Sequence, residues 1–255
     1  MKLFIMIASY LLVITNAFGF TLIPSRLKFN ESTIKVNVTG NNCETLGITA
    51  EELLNTVEMA IDNYWNRVVT SSLLLEKGSV LSSLDATDDT LQTLLEKGTN
   101  NTITVGCGQH RGEDDDLEDG MFESAATLAV GSIGSTTNGG IRGLVLVNDV
   151  LIEGESRVKN LSSAEFEAVL AHEIGHALGI GHSSNSVALM YYSVGSKVQM
   201  YLSQDDYDAL TYLYPQEYSG GCASIDTNRG TTQTVFPFLL GLFLSVIILK
   251  RTLSV

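Results

Sequence analysis

Basic side chains are scarce in this sequence: 15 Lys and Arg stand against 29 Asp and Glu, for a formal net charge of −14. So few cations leave no patch to meet a phosphate backbone, which excludes nucleic acid as a partner. The acid surplus biases binding weakly towards basic substrates, and a merely soluble acidic surface explains it equally well. Cysteine is also rare. Cys43, Cys107 and Cys222 allow one disulfide with one thiol left over in an oxidising compartment, and the sequence does not choose the pair. There is no internal repeat and no long low-complexity segment. Histidine is nearly as scarce, with 4 in 255 residues.

Both ends differ from the middle. Residues 1–19 carry Lys2, an apolar stretch, and small residues at Ala17 and Gly19, the order of a secretory signal peptide cut after Gly19. An uncleaved signal anchor is the alternative. At the other end, small residues from Ser219 to Ser224 and a polar linker precede an apolar run from Val235 to Leu249. That order predicts a GPI signal, whose tail is exchanged for lipid. Lys250 and Arg251 suit a second reading, one transmembrane helix with a basic flank. The run is shorter than the ~20 residues that span comfortably, so the lipid anchor is favoured. In both readings the protein is extracellular and attached to the cell surface through its C-terminal tail. Sequons at Asn30, Asn37, Asn100 and Asn160 suit that compartment where they are exposed.

The chain divides into a signal peptide (1–19), an N-terminal segment able to act as a short propeptide (20–48), a main domain (49–216), a linker (217–234) and a hydrophobic tail (235–255). Thr33–Val38 has a β-like pattern. Thr49 and Glu52 stand in capping-box spacing, and Leu53, Val57, Ile61, Tyr64 and Val68 recur at helical intervals. This predicts an amphipathic helix, with Trp65 packing rather than reacting. A polar connection then leads to a strand over Asn101–Gly108. Glu113–Asp116, Glu118 and Asp119 offer hard oxygens for Ca2+ but lack EF-hand spacing, so a solvated loop is the simpler reading. His110 beside them reads as a lone surface histidine. Two further strands, 125–131 and 142–149, are joined by glycine-rich residues 131–141. No Gly-Lys-Ser/Thr follows, so this stretch predicts a flexible connection, not a phosphate cradle.

Three of the four histidines fall in one run, "HEIGHALGIGH", from His172 to His182. Ser162 and Glu165 give another capping box, and Phe166, Val169, Leu170, Ile174 and Leu178 line an apolar helical face. His172 and His176 are four residues apart and so project from one side of that helix. Gly179 lets the helix stop and turn, returning His182 towards the same point. Three neutral imidazoles with an open fourth position are the ligand set of a catalytic zinc, and no cysteine is near enough to close the site. Zinc makes hydroxide available near neutral pH, and Glu173 is placed to take a proton as general base.

At these residues the sequence resembles the metzincin zinc peptidases. His172, Glu173, His176, Gly179 and His182 match the metzincin motif, and Met190 in "ALMYY" resembles the methionine turn. Ser183, "HSSNSVALMYY" and "LSQDDYDALTYLY" are similar to the matrixins, the matrix metalloprotease group. The likeness runs from about Thr49 to Pro215, strongly after Ser162. It implies an α/β (α+β) fold, a twisted and mostly parallel sheet above the zinc helix, with a small C-terminal subdomain below the cleft. It also implies that Met190 floors the zinc site. Asp205 and Asp206 match an acid pair that supports the methionine turn and receives the mature N-terminal amine. Dipole pairing at a helix start is the other reading of both acids.

Several features depart from that pattern. Upstream histidines for a second, structural zinc are missing apart from His110, and the family's calcium loops are not recognisable. No Pro-Arg-Cys-Gly segment precedes the domain; Cys43 is either an inhibitory thiolate or half of a disulfide, the latter favoured. Tyr192 stands where matrixins tend to have proline, spaced from Met190 like the zinc-associated tyrosine of astacins, which gives it a candidate oxyanion role. The reading is a zinc-dependent endopeptidase acting on extracellular proteins. The alternatives are a non-catalytic surface adhesion or recognition module on the same fold, and a hydrolase of wall or glycan-linked peptides.

Overall fold

The computed structural model describes residues 19–87, 91–108, 122, 127–150, 158–192 and 199–216. Most of the predicted signal peptide, the acidic loop with His110, Cys222, the linker and the apolar tail lie outside the described residues.

Ile34, Val36 and Val38 are fully buried on β1 (Thr33–Thr39), consistent with its predicted strand. The capping box at Thr49 opens α1 (Ala50–Asn63), and Leu53, Val57 and Ile61 form its buried stripe. Then follow β2 (Leu74–Leu81), α2 (Leu91–Lys97), β3 (Thr102–Gly108), β4 (Ala129–Ser135) and β5 (Ile141–Asn148). The second capping box, at Ser162, opens α3 (Ser163–Ala177), and Ser203 caps α4 (Gln204–Leu213). The strands form one sheet in the order β2-β1-β3-β5-β4, parallel except for β4, which runs antiparallel to β5.

Strand period places successive side chains on opposite faces. On β5, Val145 and Val147 enter the main core, while Leu144 and Leu146 join a smaller cluster with Leu94 of α2. Accordingly α1 and α3 contact the sheet and each other, and α2 contacts β5 from the other face. The result is a mixed α/β fold with a mostly parallel sheet, as the resemblance implied. Trp65 is buried in that core and its Nε1–H donates to the Ala171 carbonyl of α3 at 2.8 Å.

Four expectations need correction. The boundary at Thr49 cuts through the sheet, because β1 pairs with both β2 and β3; residues 20–48 are part of this domain and not a detachable segment. The polar connection contains β2 and α2, which pattern reading missed since β2 buries few of its side chains and α2 is short. Within 131–141 only Thr136–Gly140 turns, with Gly139 at φ +77°, and Gly131–Ser135 is strand. Gly131 is there for closeness, not freedom: a Cβ would run into the Glu173 carbonyl of α3. Finally, Asn37 is buried on β1 and its Oδ1 accepts from the Ser79 amide, which leaves no room for a glycan; Asn30, Asn100 and Asn160 are exposed.

Cys43 and Cys107 form a buried disulfide, with Cα atoms 5.3 Å apart. This settles the pairing and removes Cys43 as a metal-capping thiolate. The bond ties the end of β3 to the turn before α1, where Asn41 Nδ2 also donates to the Cys107 carbonyl and Thr45 Oγ1 to the Asp149 carbonyl. Closing a span of 64 residues restricts the unfolded chain by about 4 kcal/mol on loop-entropy grounds. Replacing both cysteines by Ala is therefore expected to lower the urea-unfolding free energy by roughly that amount. A loss below about 1 kcal/mol would mean the unfolded chain is already held compact without it.

Candidate metal centre

The first two histidines stand one turn apart on α3, whose C-cap is Leu178. Gly179 then takes φ +101°, its N–H donates to the His176 carbonyl, and the Ile180 N–H donates to the Gly175 carbonyl. That double closure ends a helix and reverses the chain. His182 comes back across the helix, and ligating nitrogens of His172, His176 and His182 all lie within 4.8 Å of one another. His176 Nε2 and His182 Nε2 are 3.1 Å apart.

Two rings are fixed from behind. His172 Nδ1 lies 2.7 Å from the Leu189 carbonyl and His176 Nδ1 lies 2.8 Å from the Ile180 carbonyl. A carbonyl oxygen only accepts, so both Nδ1 atoms carry the proton and both Nε2 atoms present bare lone pairs. Burial keeps these imidazoles neutral. It lowers His172 to about 4 and His176 to about 3, the latter helped by the neighbouring His172, while the carbonyl hydrogen bonds pull both back up. His182, more exposed, is lowered by the burial it has. Neutral, pre-aimed imidazoles with no cysteine among them fit Zn2+.

Glu173 is buried beside His172, and burial pushes its carboxyl up to about 8, against a backbone hydrogen bond from Gly131. Met190 is buried under α3. A side chain on Gly175 would come within 2.5 Å of the Met190 sulfur and 2.8 Å of the Trp65 ring, so Gly175 is what lets the methionine turn close on the helix.

That turn hangs from α4. Asp206 is buried; it accepts hydrogen bonds from the Leu189 amide at 2.9 Å, the Met190 amide at 3.0 Å and the Ser203 amide at 2.7 Å. Burial raises its pKa and these donors oppose the rise. Asp205 accepts from the Ser183 hydroxyl, and the Ser183 N–H donates to the Met190 carbonyl. Tyr192 is 65% exposed, and its ring lies 4.5 Å from that of Tyr191. Gly131, Gly175 and the carbonyls of Ile180 and Leu189 were not singled out by sequence. Carbonyl orienters leave no residue signature, and the two glycines show their purpose only once their neighbours are placed.

Known proteins match this half of the chain. A family model described as matrixin matches residues 90–215. The chain carries a matrixin-type metzincin domain. Metalloendoproteinase 1 of Glycine max is 46% identical over 54 residues, which is 21% of this chain and 18% of that protein. Interstitial collagenase of Sus scrofa is 40% identical over 62 residues, 24% of this chain and 13% of the relative. Matrix metalloproteinase-25 of Homo sapiens is 47% identical over 60 residues, covering 22% and 11%. The aligned part spans less than a fifth of each of these relatives. Strands β1 and β2 and helix α1 of the matrixin-type domain precede the matched residues.

Two tests follow from the site. A carboxyl with a raised folded pKa is protonated in the fold but ionised in the unfolded chain between the two values. Stability therefore falls as pH rises from about 4.5 to about 8. In metal-stripped protein, the stability of Glu173→Gln relative to wild type should climb across that window by up to about 1.4 kcal/mol per pH unit. Urea unfolding measures this, and a pH-independent gap would put the carboxyl in water. Second, Tyr192 engages Tyr191, so Tyr192→Phe should hold kcat within about twofold in a peptide assay. A selective fall in kcat would instead give its hydroxyl the oxyanion role.

Proposed function

We propose that this protein is a zinc-dependent endopeptidase of extracellular proteins, with His172, His176 and His182 as ligands and Glu173 as general base. The observation that carries the reading is the convergence of three imidazoles, two of them locked by main-chain carbonyls, next to a buried carboxyl. When bound, zinc supplies Lewis acidity, acidifying water and polarising the scissile carbonyl. Beside a dication the Glu173 carboxyl returns towards its ionised form. Its carboxylate then takes the proton released as water adds to the carbonyl carbon. It gives that proton to the leaving amine nitrogen as the C–N bond breaks. Met190 holds the helix from below in the space left by Gly175, Asp206 holds the Met190 turn, and Asp205 anchors Ser183. Secretion through residues 1–19 and retention at the cell surface through residues 235–255, as a GPI anchor, belong to the same proposal.

The test is turnover of a quenched peptide pool by purified wild type and Glu173→Gln, with and without a zinc chelator. Wild type should cleave, the chelator should abolish cleavage, and Glu173→Gln should lose about 10²–10⁴-fold while retaining zinc. Zinc-loaded, folded wild type that cleaves no better than Glu173→Gln would overturn the peptidase reading in favour of a binding module.

A further inference from the structure

The chain just after the predicted signal cleavage point runs beside the loop that carries the third histidine. Leu22 bridges Ile180 in antiparallel fashion. Around that bridge the Ile23 N–H donates to the Gly179 carbonyl at 3.1 Å and the Gly181 N–H to the Thr21 carbonyl at 2.8 Å. Thr21 Oγ1 donates to the main-chain carbonyl of His182 itself at 2.6 Å. The loop is shaped for this neighbour. A Cβ on Gly181 would collide with Thr21 Oγ1, and one on Gly179 would come within 2.5 Å of the Leu27 carbonyl. Phe20 continues the contact with its ring 5.6 Å from that of Tyr212 on α4.

Within this stretch, Ile180 supplies the carbonyl that orients His176, and His182 is the most exposed and least braced of the three rings. No hydrogen bond to His182 Nδ1 comes from a described residue. Its support is therefore on the main chain, and Thr21 provides it. We infer that Thr21–Leu22 form a strap that positions two of the three metal ligands, with Thr21 as a positioning residue for His182. The inference rests on the zinc reading proposed above. It turns the two glycines between His176 and His182 into one half of a contact whose other half lies some 160 residues earlier.

The experiment compares wild type, Thr21→Val, Thr21→Ser and a deletion of Phe20–Leu22. Zinc affinity is read by chelator competition, cobalt by its visible absorption bands, and metal-free thermal stability alongside. Thr21→Val should fold with an unchanged metal-free melting temperature yet bind zinc about tenfold more weakly, with shifted cobalt bands. Thr21→Ser, which keeps the hydroxyl, should stay within about twofold of wild type, and the deletion should lose at least as much as Thr21→Val. Wild-type zinc affinity and cobalt bands in Thr21→Val would overturn the strap while leaving the metal centre standing. A wild type that takes up neither ion would remove the metal centre and the strap together. Should Thr21→Val fail to fold, hydrogen exchange on wild type decides. Zinc should raise protection of the Ile23 and Gly181 amides together, since coupling is reciprocal, and no change at either would overturn the strap.

Discussion

Two hydrogen bonds, from His172 Nδ1 to the Leu189 carbonyl and from His176 Nδ1 to the Ile180 carbonyl, set the direction of the two bare nitrogens on which the site depends. A carbonyl orients a ring only as well as its own peptide is held, and each of these is held from a distance. The Leu189 peptide is fixed by the Asp206 carboxylate at the start of α4, which binds the Leu189 and Met190 amides. The Ile180 peptide is fixed by the Schellman closure at Gly179 and by the chain at Leu22. An exposed loop would blur both rings over several rotamers. Here each has a carbonyl at hydrogen-bond distance and a chain of further bonds behind it.

The helix those carbonyls act upon is itself clamped by missing side chains. Gly131 brings β4 against the backbone of Glu173, Gly175 admits the Met190 sulfur and the Trp65 ring, and Gly179 and Gly181 admit residues 21–27. Alanine at any of these would overpack a close contact and move α3 relative to its ligands, and overpacking of tight cores costs about 1–3 kcal/mol. Trp65 adds an indole hydrogen bond to the Ala171 carbonyl, one residue before His172. Packing and ligand geometry are thus one constraint, expressed on different atoms.

This also decides what the sequence could reveal. Capping boxes at Thr49 and Ser162 are local chemistry within four residues, and the helices begin where they predict. The histidine run is local as well, because helical period and one glycine bring its members together. Strand β2 was hidden, since its side chains do not alternate between core and solvent and its place is set by pairing with β1. Gly131 looked like flexibility because its neighbour, the Glu173 backbone, lies more than forty residues away. The boundary at Thr49 failed for a related reason. A signal for a helix start carries no information about a preceding strand that is held inside the sheet by partners on both sides.

The centre packs neutral imidazoles and a buried carboxyl close together. The bare His176 Nε2 lies 3.1 Å from His182 Nε2, and burial raises the pKa of the Glu173 carboxyl against a backbone hydrogen bond from Gly131. Burial has already made the imidazoles neutral, so a metal ion entering near neutral pH displaces few protons from them. Binding to this arrangement and not to the unfolded chain makes part of the metal affinity a folding free energy. The disulfide between Cys43 and Cys107 contributes on the other side of that balance by restricting the unfolded chain. With the sheet end secured covalently, the fold carries a cluster of buried ligands whose desolvation costs stability, a cost that binding of a cation offsets.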